Sequence, residues 1–250
     1  MKATLLIGRR ELRAFFRTPL AWLILAGSTF VMAWVFLWYV QRFLELQPRL
    51  PAAGPGVSAL VASPMLFWAG ILLVLITPLL AMRLIAGDRA RGSFALLRTA
   101  PISSTAIVLG KYLALECLLG LVIAVAIAMP LTLQLGTSLD FGRLLAATVG
   151  LLLLAAAFGA ISLCLSAFAP HPAAAAFGSF AVLLILWLFN LASKTAAGAD
   201  SALAYLSPGH HLMPLLAGEV SSADIAYFLI VTAFFLGLAA WKLDLDRLGA

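Results

Sequence analysis

Charged residues are scarce in this chain. Only 10% of its 250 residues are Asp, Glu, Lys or Arg, whereas 64% are hydrophobic. A soluble domain cannot cover so much apolar surface with so few charges, so the sequence is that of an integral membrane protein. The net charge of +6 reflects the preference of basic residues for the cytoplasmic side of a membrane, and it requires no nucleic-acid partner.

Recognisable catalytic motifs are lacking as well. The pair Gly110-Lys111 fails to match a phosphate loop, because Thr105 stands where glycine is needed and Tyr112 where Ser or Thr is needed. The chain has no zinc-protease histidine pair and no nucleophile elbow. Its two cysteines, Cys117 and Cys164, lie in apolar runs, as small packing residues do. We therefore expect no ATP hydrolysis, bound cofactor or metal in this chain.

Long apolar runs are what the sequence does contain. A helix needs about 20 mainly apolar residues to cross the hydrocarbon. Six stretches qualify, at about 20–40, 65–86, 107–133, 144–168, 173–192 and 225–243. Such unbroken runs predict helices, because an open sheet would leave backbone groups unpaired in lipid. The predicted fold is an all-α membrane protein, a single transmembrane domain over residues 1–250.

The distribution of Lys and Arg predicts the orientation. With six spans, 12 basic residues fall on the side that holds both termini and residues 87–106, and 4 fall on the other side. This asymmetry places both termini and residues 87–106 in the cytoplasm.

The N-terminal residues 1–19 predict an amphipathic helix lying in the membrane interface. Arg9, Arg10, Arg13 and Arg17 form its basic set, with Leu5, Leu12, Phe15 and Phe16 set against them. Pro19 suits the first turn of the span that follows. An alternative interpretation is a plain basic anchor at the cytoplasmic surface.

Two connections on the outer side are long. Residues 41–63 contain three prolines and two glycines, which predict a loop with at most short structure. Residues 193–224 include an apolar stretch at 203–216 that Pro208, Gly209 and Pro214 interrupt. This stretch cannot span the membrane, but it can dip in and return where protein covers its backbone.

A few polar residues in or near the spans are candidates for chemistry. Glu116 lies well inside an apolar run, and we expect it to pair with Lys111 or Arg83 rather than to form a functional site. Asn190 is expected to line a cavity or to lie at the interface. His210 and His211 point about 100 degrees apart on a helix, so packing is favoured over a metal or catalytic role.

The most distinctive segment is the basic island at 87–111, between the second and third apolar runs. Within it Ala90, Phe94, Leu97 and Pro101 recur at spacings of four, three and four. This spacing predicts a short helix with one apolar face. Lying along the cytoplasmic surface between two spans, such a helix is placed to contact a partner.

The island also resembles the motif of ABC-2-type permeases. The matching residues are Arg91-Gly92-Ser93, Leu96-Leu97, Ala100-Pro101-Ile102-Ser103 and Gly110-Lys111. Two further segments, at 10–22 and 206–229, are similar to the gliding-motility and nitrous-oxide-reductase-maturation branch of that family. The chain departs from the pattern at Arg89 and Ala90, where members often carry an acidic residue, which leaves Asp88 as the nearest acidic candidate.

The resemblance implies a six-helix, type V exporter-like permease in a bacterial inner membrane. A second permease copy or a homologue would complete the dimer, and each permease would dock on a separate cytoplasmic ATPase, two copies in all, that binds ATP and Mg. Residues 87–106 would contain the coupling helix, with Arg91, Phe94, Leu97, Arg98 and Pro101 at the ATPase contact. Arg10, Glu11, Arg13 and Phe16 would belong to a connecting helix, and Pro208, His210 and His211 to an outer gate.

The substrate and the use of the free energy stay open. Lipid, peptide or a small hydrophobic compound would all suit the apolar spans, and the small outer loops mean that any large periplasmic domain belongs to an accessory subunit. ATP-driven mechanical work on an envelope partner is an alternative within the same class. A membrane-embedded enzyme that uses Glu116 or the pair His210 and His211 is an alternative from another class, and a channel or ion-coupled carrier is a weaker one.

Overall fold

Nine α-helices make up most of the part of the chain that the structure describes. The structure is a computed structural model, and it describes residues 2–49, 56–92, 102–192 and 205–248. We number the helices α1 (Lys2–Phe16), α2 (Pro19–Leu46), α3 (Ser63–Ala81), α4 (Ala86–Ala90), α5 (Ser104–Leu131), α6 (Phe141–Phe168), α7 (Pro172–Ala192), α8 (Pro208–Ala217) and α9 (Ser222–Leu248). The described residues contain no strand, as predicted.

Six segments are long and apolar enough to cross a membrane. They are Pro19–Leu46, Ser58–Ala90, Ser104–Leu135, Phe141–Phe168, Pro172–Asn190 and Ser222–Leu248. The prediction of an all-helical bundle with six spans is therefore confirmed.

Local sequence explains where several helices begin and end. Ser103 and Asp140 cap α5 and α6, accepting hydrogen bonds from the backbone N–H groups of Ala106 and Arg143. Pro19 stands at the start of α2, where its missing N–H costs nothing. Gly218 ends α8 with a φ of 92°, a left-handed conformation that favours glycine.

The predicted loop over 41–63 is wrong at both of its ends. Helix α2 continues to Leu46 and is followed by a 3-10 turn at Gln47–Arg49, and a π-helical turn at Ser58–Ala62 leads into α3. No proline lies between Pro19 and Pro48, and Gln41 donates a hydrogen bond to Glu45 one turn later. Charged residues thus extend the helix beyond the apolar run.

Helix α6 is the centre of the bundle. It packs against α3, α5, α7, α8 and α9, and most of its side chains are buried. Its buried surface is rich in small residues, among them Ala147, Gly150, Ala157 and Gly159, which let neighbouring backbones approach closely. Helices α2, α7 and α9 lie at the periphery, and large apolar side chains such as Phe30, Trp34 and Phe234 are exposed on them. Such exposure suits a lipid-facing surface.

The bundle has two ends that differ in their polar contacts. The α1 end contains α1, α4, the beginning of α5 and the end of α9, which the contacts of Lys111 and Arg89 join. The α8 end contains α8, the beginnings of α3 and α6, and the beginning of α9.

Candidate functional site

A buried lysine joins three helices at the α1 end. The side chain of Lys111 in α5 is fully buried, and its Nζ donates hydrogen bonds to Glu11 Oε1 at 2.9 Å and to Asp88 Oδ2 at 2.6 Å. Glu11 lies on α1 and Asp88 on α4. A buried charge is tolerated when it is paired and hydrogen-bonded, as it is here. We call Lys111, Glu11 and Asp88 the lysine cluster.

Two glycines allow α1 to reach the lysine cluster. A Cβ atom at Gly110 would lie 2.8 Å from both Ile7 Cβ and Thr4 O, and one at Gly8 would lie 3.1 Å from Gly110 O. The backbones of α1 and α5 therefore touch at these two residues. Glu11 follows Gly8 by one helical turn, and this close approach brings its carboxylate over Lys111.

Two arginines have different roles at the root of the basic island: Arg91 bonds within its own segment, and Arg89 ties that segment to the bundle. Arg91 donates from Nη2 to Asp88 Oδ1 at 3.3 Å and from Nε to Gly87 O at 3.1 Å. Arg89 forms an ion pair with Asp246 on α9 and donates to the carbonyls of Ala167 and Ala169 at the end of α6. Residues 86–92 are thus held from two sides, by Lys111 of α5 and by α6 and α9.

The predicted contact residues of the island fall in two groups. Phe94, Leu97, Arg98 and Pro101 lie outside the residues that the structure describes. Arg91 is described, and it binds acceptors of its own segment with a side chain that is 62% exposed. The lysine cluster itself was missed in the sequence. A lysine near the start of an apolar span and two acidic residues in basic segments were the available signal, but nothing in the sequence shows that they meet.

The predicted connecting-helix residues divide between the two faces of α1. Arg10 and Arg13 are exposed, whereas Glu11 and Phe16 are half-buried. Glu11 reaches Lys111, and Phe16 packs against the core with its ring 5.6 Å from that of Trp22. Glu11 therefore has a partner in a spanning helix. Among the described residues, the side chains of Arg10 and Arg13 form no hydrogen bond or ion pair with such a helix.

The expected pairing of Glu116 is wrong. Lys111 binds Glu11 and Asp88 instead, and Arg83 donates to Thr18 Oγ1 at 3.1 Å. The Oε1 atom of Glu116 is buried with no hydrogen-bond partner in the described chain, and it lies where a Cβ at Gly159 would be. A side chain at residue 159 would thus displace this carboxylate.

A pair formed by one histidine and one aspartate, His211 and Asp224, lies at the α8 end. His211 is buried, with Nδ1 2.7 Å from Asp224 Oδ1 and Nε2 2.9 Å from Tyr205 O. The ring of His211 is thus held from two sides, by the carboxylate of Asp224 and by the backbone carbonyl of Tyr205.

The side chains around His211 fix its ring. Tyr227 stacks on it with centroids 4.0 Å apart and donates from its hydroxyl to Leu206 O at 2.7 Å. His210 is exposed, so the two adjacent histidines do not act as a pair. Since both ring nitrogens of His211 are hydrogen-bonded, a metal ion could bind there only if one of these bonds were broken. The described residues contain no group of three His, Cys, Asp or Glu side chains suited to a metal ion.

The other predicted outer residues also pack in this region. Pro208 is buried as the first residue of α8. Asn190 of α7 is buried and lies against Gly209, where a Cβ would come within 2.7 Å of its Nδ2 atom. Asn190 therefore lies at the contact between α7 and α8 and is a packing residue of that contact. Asp224, which pairs with His211, is the residue of this region that the sequence did not single out as a site.

The helices and their polar contacts define the class of protein. The six candidate spans, with α6 as the central one, and the charged network at the α1 end are those of a multi-pass α-helical membrane protein. The sequence matches the family described as ABC-2 family transporter protein over residues 7–245, and the chain belongs to that family. It is thus a membrane-spanning permease subunit of an ABC transporter. Permeases of this family work with a cytoplasmic ABC ATPase.

No curated protein matches the sequence. The narrower resemblance to the gliding-motility and nitrous-oxide-reductase-maturation branch stays a prediction.

Proposed function

We propose that this chain is the membrane-spanning subunit of an ABC exporter in a bacterial inner membrane, with both termini and residues 87–106 in the cytoplasm. A separate ATPase, present in two copies, binds ATP and Mg and supplies the free energy. A second permease copy completes the membrane part. In this arrangement residues 93–101 contact the ATPase, and the chain itself makes or breaks no bond.

The observation that supports this proposal is the attachment of residues 86–92 to the rest of the bundle. This segment leads directly into residues 93–101, and its ion pairs reach α5 and α9, while Lys111 of α5 also pairs with Glu11 of α1. Breaking a buried ion pair by removing one partner costs about 3–5 kcal/mol. A displacement of the island by the ATPase would therefore move these helices with it rather than bend the segment alone.

Copurification tests the partner. We expect a P-loop ATPase to accompany the permease when it is purified gently from its native membrane. The double variant Phe94→Ala with Leu97→Ala should lose that ATPase, because both apolar contacts of the proposed coupling helix are removed. The proposal is wrong if no ATPase copurifies, or if the double variant retains both the ATPase and cellular function.

A second experiment tests the role of the lysine cluster in coupling. Asp88→Asn should leave the ATPase bound but reduce the stimulation of ATP hydrolysis by the permease about tenfold, which corresponds to roughly 1.4 kcal/mol. Asp244→Asn is the matched control, since Asp244 is an exposed carboxylate of α9 at the same end. Equal effects of the two substitutions would show that the cluster does not transmit the motion.

An experiment in proteoliposomes distinguishes export of a compound from mechanical work on an envelope partner. For an exporter, a compound that stimulates ATP hydrolysis should also accumulate across the bilayer. ATP hydrolysis that depends on an envelope partner, with no compound crossing, would instead support the maturation alternative.

A further inference from the structure

An apolar cavity with one arginine lies at the α8 end. Its volume is about 270 Å³. The residues that line it come from α2, α3, α6 and α8 and are Tyr39, Ser63, Pro64, Phe67, Arg143, Met213, Leu216 and Ala217. Ligand pockets for whole small molecules occupy about 300–1,000 Å³, so this cavity suits one segment of a longer molecule.

Arg143 is the charged group of the cavity wall. Its Nε donates to Leu216 O at 3.3 Å, and Gly218 packs against its aliphatic stem, where a Cβ would lie 3.4 Å from Arg143 Cβ. Its Nη1 and Nη2 atoms have no partner among the residues that the structure describes. The neighbouring carboxylate of Asp140 accepts from the backbone N–H of Arg143 rather than from its guanidinium. Two donor groups therefore remain for an anion.

The surroundings of the cavity indicate the depth at which it lies. Trp68 is exposed on α3 and donates to the hydroxyl of Tyr39 at 3.3 Å, and the exposed Trp38 of α2 has its ring 4.8 Å from that of Tyr39. Tryptophan and tyrosine concentrate at the headgroup level of a bilayer. Two wall residues, Met213 and Ala217, are exposed, so the cavity opens outward at this level.

We propose that this cavity binds one anionic phospholipid of the surrounding bilayer, with a segment of acyl chain against the apolar wall and the phosphate at the guanidinium of Arg143. The geometry matches the chemistry of both parts. A guanidinium forms paired hydrogen bonds with phosphate, and Phe67, Met213 and Leu216 provide the apolar contact. This proposal does not depend on the transported substrate or on the ATPase.

The bound lipid would act on α8. Leu216 O accepts hydrogen bonds from both Ser63 Oγ, at 2.7 Å, and Arg143 Nε, so two cavity residues also hold the end of this helix. A phosphate that draws the guanidinium toward the mouth weakens one of these two bonds. Lipid occupancy and the position of α8 are thereby linked.

The test is native mass spectrometry of the full chain released from bilayers that contain equal amounts of phosphatidylglycerol and phosphatidylcholine with the same acyl chains. We expect phosphatidylglycerol to be retained in about fivefold preference, the effect of roughly 1 kcal/mol for one basic residue near a membrane surface. Arg143→Gln should abolish the preference, and Arg143→Lys should keep most of it because the charge remains.

Two further variants make the result specific. Arg42→Gln is the matched control, since Arg42 lies over the Trp38 ring at this end but outside the cavity, and it should leave the preference unchanged. Ala217→Phe should reduce retention of both lipids by filling the cavity without changing its charge, and it keeps the test valid if Arg143→Gln fails to fold.

Three outcomes would overturn the proposal. These are an unchanged preference in Arg143→Gln, an equal loss in Arg42→Gln, or unchanged retention in Ala217→Phe. A further outcome would replace the phospholipid by another ligand. If a single-tailed alkyl phosphate binds in a manner that depends on Arg143 while phosphatidylglycerol does not, the site is one for free anionic amphiphiles.

Discussion

The two ends of the bundle are held together in different ways. At the α1 end, ion pairs join residues far apart in the chain, such as Lys111 with Glu11 and Arg89 with Asp246, which are 100 and 157 residues apart. At the α8 end, the contacts of His211 and Tyr227 stay within residues 205–227. The α1 end is therefore held by ion pairs between distant parts of the chain, whereas the hydrogen bonds of His211 and Tyr227 join α8 and the residues before it to the beginning of the neighbouring helix α9.

This difference affects how a displacement at either end is passed on to the spanning helices. A segment whose ion pairs reach several spanning helices transmits a displacement to all of them. At the α8 end, hydrogen bonds instead join α8 to the beginnings of α9, α3 and α6, through Asp224, Ser63 and Arg143. The comparison predicts that substitutions at the α1 end affect global stability and that those at the α8 end act more locally.

The largest expected effect comes from breaking the lysine cluster. Lys111→Met should reduce the free energy of unfolding by about 3–5 kcal/mol, because it leaves two carboxylates without their buried cation. Lys242→Met is the control, since Lys242 pairs with Asp246 in a partly exposed setting and should cost at most about 1 kcal/mol. Denaturant titration of the purified protein measures both.

A triple variant sharpens this prediction. Adding Glu11→Gln and Asp88→Asn to Lys111→Met removes the uncompensated charges and should recover much of the lost stability. No recovery would mean that the loss comes from packing and not from charge.

The next largest effect is expected at His211. His211→Leu removes two buried hydrogen bonds and leaves Asp224 without its partner, which should cost about 2–3 kcal/mol. The adjacent and exposed His210 provides the control, and His210→Leu should change stability by less than about 0.5 kcal/mol. Hydrogen exchange should show the loss concentrated in α8. Equal loosening of α5 and α8 would contradict the local character of this end.

A smaller effect is expected where α1 touches α5. Gly110→Ala places a Cβ 2.8 Å from Ile7 Cβ and should cost about 1–3 kcal/mol by forcing the two helices apart. Gly120→Ala in the same helix meets nothing within 4 Å, and it should be neutral or stabilising by up to about 1 kcal/mol. Thermal unfolding distinguishes the two, and similar melting temperatures would mean that this contact is not tight.

The smallest effect is expected at Tyr227. Tyr227→Phe loses the hydrogen bond to Leu206 O but keeps the ring stacked on His211, and should cost about 0.5–1.5 kcal/mol. Tyr227→Leu also loses the stack, for about 0.5–1.5 kcal/mol more. If the two variants are equally stable, the stack contributes nothing and His211 is held by its hydrogen bonds alone.

Some features of the candidate sites were predictable and others were not, for physical reasons. The length of an apolar run determines whether a helix can span a bilayer, so the six spans were read from composition. The extension of α2 to Leu46 was missed because the prediction ended the helix with the apolar run. Polar residues can continue a helix where no proline or glycine interrupts it. The partner of Glu116 was predicted wrongly. Lys111 is close to Glu116 in the sequence, but in the structure Lys111 binds the carboxylates of Glu11 and Asp88, which are distant in the sequence.

The sequence by itself determined that this is a helical membrane protein with six spans, with a basic island and with no phosphate loop, since each of these depends on residues that are contiguous. Only the tertiary structure decided that Lys111 pairs with Glu11 and Asp88, that His211 is buried against Asp224 while His210 is exposed, and that Arg143 faces an apolar cavity. Those contacts depend on which helices approach each other and at which residues. Small residues that are distant in the sequence, such as Gly8 and Gly110, allow this close approach.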